Sequence, residues 1–147
     1  MRQEIFRSLT IAYIRNTGPY GATNRVLMDR FKAILRERGL FDHSSVILGI
    51  ALDDPALVPA DRLRYDVGLV IPPHQDTGLA RRRIADGPYA VFEVPHTQAG
   101  VKCFWQELPV LINGLPADTS RPVIERYAAH MVARHRCEFC VPLTHPL

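Results

Sequence analysis

The order of its elements constrains this chain more than any single motif, because one succession of strand and helix patterns is written twice. Residues 4–16, EIFRSLTIAYIRN, are rich in β-branched and aromatic side chains. They stop at Thr17-Gly18-Pro19-Tyr20-Gly21 and read as one long or two short strands. Asn24–Arg38 then places Leu27, Phe31, Ile34 and Leu35 at helical spacing with charged residues between them, the mark of an amphipathic helix. Thr23 or Asn24 suits its N-cap, and Gly39 suits a left-handed ending. Val46–Leu52 is an apolar strand run and Pro59–Arg62 a short turn. Leu63–Ile71 alternates until Pro72-Pro73 stops it. The second half repeats the succession. Tyr89–Val94 follows Gly87-Pro88, and Gln98–Asn113 carries Val101, Phe104, Trp105, Leu108, Leu111 and Ile112 at helical spacing. Pro122–Ala128 and Arg136–Val141 are two further strands, closed by Pro142. Pro109 is expected to kink or end its helix, since proline cannot donate to the preceding turn.

This order predicts an α+β fold: a duplicated β-α-β-β module, with half-repeats near 4–73 and 87–143 inside one domain spanning 1–147. Antiparallel strands would carry both long helices on one side, and a pseudo-two-fold axis would leave a cleft between the halves. With 47% apolar and 22% charged residues the chain can bury an ordinary core without disulfide staples. Its odd number of cysteines, Cys103, Cys137 and Cys140, suggests reduced thiols and a cytoplasmic setting. The longest apolar run is far too short for a membrane helix, and Arg7 breaks any signal-peptide pattern. A net charge of +3 is too small to argue for nucleic acid.

Few residues stand out chemically. Glu125 lies in the apolar strand Val123-Ile124-Glu125-Arg126-Tyr127. By its pattern alone it suits a solvated strand glutamate paired to an arginine, or a carboxylate facing a pocket. Among aromatic residues such a group would lose hydration and seek a cation or a donor. Trp105, beside Phe104, suits core packing or a flat wall for stacking and cation–π contact. The five tyrosines all sit on strands or at their ends, and Tyr65 and Tyr127 are the best placed for a pocket. Cys137 and Cys140 form C-x-x-C, but odd spacing on a strand points the thiols to opposite faces, so no metal site is expected. The six histidines are scattered, with His130 and His135 flanking the last turn. Arg81-Arg82-Arg83 reads as a solvated connector. Nucleotide and nucleophile-elbow motifs are missing, so no cofactor is expected.

Four segments in order resemble the gyrase-inhibitor-like (GyrI-like) superfamily: Ile11–Tyr20, Gly87–Phe92, Ile124–Tyr127 and Cys137–Leu143. That fold is shared with the effector-binding domains of AraC-type regulators and MerR-type multidrug regulators of bacteria. The resemblance spans residues 4–143 and implies a duplicated (SHS2-type) module holding a lipophilic, often cationic or aromatic ligand between its halves. It also implies that Glu125, on the penultimate strand, is the pocket carboxylate. The candidate ligand-binding set is therefore Glu125, Trp105, Tyr65, Tyr127, Phe104 and Tyr13, with no catalytic residue assigned. Regulators of this type carry a DNA-reading head, for which Met1–Gln3 leaves no room. A stand-alone binding or sequestering domain is thus expected, without sequence-specific DNA recognition and without a membrane. Two alternatives stay open: a hydrolase of reactive small molecules using Glu125 and a tyrosine, and a gyrase-binding inhibitor.

Overall fold

The structure, a computed structural model, describes residues 1–147. The chain folds as β1 (Arg2–Phe6), β2 (Thr10–Thr17), α1 (Ala22–Glu37), β3 (Val46–Ala51), β4 (Arg64–Ile71), β5 (Ala80–Arg83), β6 (Gly87–Pro95), α2 (Gln98–Leu111), β7 (Ile124–Ala128), α3 (Ala129–Val132) and β8 (Arg136–Pro142). A single 3₁₀ turn at Ala60–Arg62 precedes β4. All eight strands join one curled antiparallel sheet in the order β1-β6-β8-β7-β3-β4-β2-β5. None of the helices is long and apolar enough to cross a membrane.

Period-two alternation decides which side chains reach which face. On one face Leu27, Phe31 and Leu35 of α1 pack on Ala12, Ile47, Tyr65, Val67 and Leu69. On the same face Phe104 of α2 packs on Ala90, Val94, Cys137, Phe139 and Val141. Both long helices therefore cover one side of the sheet, each over its own group of strands. The other face buries Phe6, Ile11, Leu48, Ile50, Tyr89, Val91, Ile124 and Cys140 within the curl. Cys137 and Cys140 thus lie on opposite faces, as their spacing requires.

Several local expectations are corrected. The N-cap of α1 is Gly21, not Thr23 or Asn24, and the Thr23 hydroxyl instead donates to the Pro19 carbonyl. Gly39 does adopt a left-handed φ of 65°, and Leu40 N–H closes the end by donating to Leu35 O. Pro109 does not end α2: it costs one backbone bond, and Ile112 N–H still donates to Leu108 O. Residues 4–16 resolve into two strands, and α3 is a single turn with no sequence signal of its own. Arg81-Arg82-Arg83 is no loop but edge strand β5, paired to β2. It is drawn there by an unpaired β2 edge and by the buried carboxylate of Asp66, which Arg82 reaches at 2.9 Å.

Candidate ligand-binding site

A cleft of about 1450 Å³ opens between α1 and α2 on the helix-covered face, and the central strands β3 and β7 form its floor. Glu125 and Tyr127 share that face of β7 because they are two residues apart. Tyr127 Oη donates to Glu125 Oε2 at 2.5 Å. Tyr65 Oη reaches across β3 from β4 to donate to Glu125 Oε1 at 3.0 Å. The reach is possible because Gly49 stands opposite Glu125 in register; a Cβ there would collide with the Tyr65 hydroxyl.

No cation pairs with Glu125, half-buried at the cleft floor, although the two fully buried acids of the sheet have two each. Asp66 on β4 is held by Arg15 and Arg82. Glu138 on β8 is held by Arg2 and Arg126. Burial raises the Glu125 carboxyl above the ordinary carboxylate range, and the hydroxyls of Tyr127 and Tyr65 only partly oppose it. The same burial, with the neighbouring carboxylate, lifts both tyrosines well above a free phenol, so they remain donors.

Trp105 forms the wall on the α2 side, 41% exposed and set edge-on to Phe139 with ring centroids 5.5 Å apart. Tyr20 closes the opposite end, its hydroxyl donating to Arg64 O at 2.7 Å and its ring edge-on to Tyr65. The structure thus brings Glu125, Tyr65, Tyr127 and Trp105 together. It places the other two candidates elsewhere. Phe104 is buried beneath Trp105, stacked on Phe139 at 4.1 Å, and supports the wall without lining it. Tyr13 lies on the far face of the sheet, between the guanidinium groups of Arg15 and Arg82. Its odd position on β2 puts it opposite Ala12 and Ile14.

Sequence reasoning missed Tyr20, Gly49, Lys32 and His96, all of which shape the cleft. Tyr20 and His96 each follow the strand that leads into a long helix, and that shared placement was the available signal.

A family model for the GyrI-like small molecule binding domain matches residues 2–144. The chain belongs to the GyrI-like family. Among GyrI-like relatives, it is 40% identical over 142 residues to the "SPbeta prophage-derived putative transcriptional regulator YosT" of Bacillus subtilis strain 168, covering 92% of this chain and 93% of that one. The GyrI-like fold also recurs in solved structures of low identity. SAV2435 bound to tetraphenylphosphonium superposes with a TM-score of 0.67 at 16% identity, over 97% of this chain and 93% of the other. The EcmrR C-terminal domain gives 0.67 at 7% identity, over 99% and 97%. A hydrolase encoded by lin2189 from Listeria innocua gives 0.57 at 13% identity, over 97% and 91%.

Proposed function

We propose that the cleft binds lipophilic aromatic cations, with Glu125 supplying the counter-charge and Trp105 the stacking wall. One observation carries this reading: the chain neutralises Asp66 and Glu138 with two arginines each and leaves Glu125 with hydroxyl donors alone. A buried carboxylate without a cation is costly unless something else supplies the charge. That SAV2435 is found with tetraphenylphosphonium supports a cation as the missing partner.

The halves are read as a duplicated module about a local two-fold axis running through the cleft. Support comes from the strand order, in which β6-β8-β7 and β3-β4-β2 are arranged in mirrored succession with a helix after β6 and after β2. The likeness to YosT supports a ligand-responsive role linked to transcription. In this reading the chain supplies effector binding and no sequence-specific DNA contact. A hydrolytic use of Glu125 between two phenols is the second reading, favoured by the raised carboxyl, which suits a general base.

The test is titration of Trp105 fluorescence with tetraphenylphosphonium and with tetraphenylborate, its anion of matching shape. Wild type should bind the cation and reject the anion. Glu125→Gln should weaken the cation roughly ten- to thirtyfold, the loss of a desolvated charge contact. Equal affinity for both ions would refute the counter-charge role. Followed by calorimetry, Trp105→Ala should weaken charged and neutral aromatic ligands alike, because it removes wall area. An activated aryl ester, which unlike these ions has a cleavable acyl–oxygen bond, separates binding from hydrolysis: its intact recovery after incubation favours binding, and cleavage lost in Glu125→Gln favours the second reading.

A further inference from the structure

The cleft also holds an ammonium group that nothing in the chain neutralises. Lys32, on the cleft side of α1, is half-buried and lines the cavity. It forms no ion pair within the chain. Close to it is His96, whose ring packs on Tyr127 with centroids 5.4 Å apart and whose ring nitrogens have no protein partner. Burial first, and then the charges of Lys32 and His135, hold His96 below its ordinary value, so near neutral pH it carries one N–H donor and no charge.

No carboxylate of the cleft forms an ion pair with Lys32. Asp53 is engaged by Arg64, and Arg121 by Asp118. Asp29 and Asp54 are exposed at the mouth, as are Arg25 and Lys102. Tyr127 joins two unmet needs: its hydroxyl meets a carboxylate without a cation, and its ring packs on His96, which feels the charge of a half-buried lysine without an anion. A receptor for bare cations would gain by losing Lys32, since a second positive charge in the cleft repels the ligand.

We infer that Lys32 and His96 form a second polar subsite for an acidic group, so that the cleft selects amphoteric aromatic molecules with a lipophilic cationic centre toward Glu125 and a carboxylate toward Lys32. The inference rests on the cation reading of Glu125 above. It adds a requirement that this reading alone does not contain.

The experiment compares carboxybutyl-triphenylphosphonium, a zwitterion, with its methyl ester, which keeps the cation and the size but lacks the anion. Binding is followed by Trp105 fluorescence and calorimetry in wild type, Lys32→Met, Glu125→Gln and Arg30→Met. Arg30 is exposed on α1 outside the cleft and controls for the loss of one positive charge. Wild type should prefer the zwitterion by about fivefold, the yield of a partly screened ion pair. Lys32→Met should erase that preference, Arg30→Met should keep it, and Glu125→Gln should weaken both compounds. Equal wild-type affinity for the two compounds, or equal loss of preference in Lys32→Met and Arg30→Met, overturns the subsite. If the ester still binds and still weakens in Glu125→Gln, the cation reading survives that failure. If neither compound binds, both readings fall together.

Discussion

Gly49 and Glu125 are register partners on β3 and β7, and the missing side chain of the first sets the hydrogen bonding of the second. Tyr65, one strand further out, crosses the space above Gly49 to reach Glu125 Oε1 at 3.0 Å. Gly49→Ala should displace that hydroxyl and leave a buried carboxylate with one donor. The expected loss is about 1–3 kcal/mol of stability, the cost of an unmet buried polar group. Urea denaturation of Gly49→Ala, Tyr65→Phe and the double variant checks it. If the two single losses simply add, the proposed dependence of one on the other is wrong.

The raised Glu125 carboxyl makes a second prediction, for the ligand-free protein. Below its unfolded value the group is protonated in both states and costs nothing electrostatically. Above its folded value it is charged in both, and the folded state bears the full desolvation cost. Stability contributed by this group therefore falls as pH rises between the two values. Glu125→Gln should flatten that part of the profile and melt higher than wild type at neutral pH. Thermal melts at a series of pH values decide this, and a Glu125→Gln variant less stable at neutral pH would contradict it.

Asp66 is fully buried between Arg15 and Arg82, which ties edge strand β5 to the sheet. Asp66→Ala should cost about 1–3 kcal/mol, because it removes the fully buried partner of two guanidinium groups that are themselves partly exposed to solvent. Arg83→Ala, which removes the solvent-exposed pair with Asp86 and a long exposed contact to the Ser8 hydroxyl, should leave the urea midpoint unchanged. Hydrogen exchange should show β5 amides losing protection in the first variant and keeping it in the second.

The thiols differ by environment. Burial pushes Cys137 up to about 11 and Cys140 up to about 12, whereas Cys103 is exposed on α2 and is raised chiefly by the neighbouring Glu107 carboxylate. A nitrobenzoate disulfide reagent should therefore titrate one thiol quickly in the native protein and all three after denaturation. Cys103→Ser should abolish the fast phase. Persistence of a fast phase would mean that the sheet opens locally around β8.

Periodicity and punctuation made the elements legible in the sequence, because amphipathic spacing and the breakers at Gly18-Pro19, Pro72 and Pro142 act within a few residues of where they stand. They also put Glu125 and Tyr127 on one face, and Cys137 and Cys140 on two. The tertiary structure alone decided what each face meets. Strand alternation cannot tell which face the helices cover, so Tyr13 stayed in the candidate set behind Tyr65 and Tyr127 until the sheet order put it on the far face with Arg15 and Arg82. Trp105 and Phe104 are neighbours on one helix, yet only packing against Phe139 decides that the first faces the cleft and the second the core. Arg82 looked solvated until a buried acid sixteen positions earlier supplied its partner. The absence of any cation beside Glu125 is likewise a property of three dimensions: a sequence shows which charges exist, and only the fold brings some together and leaves one without a partner.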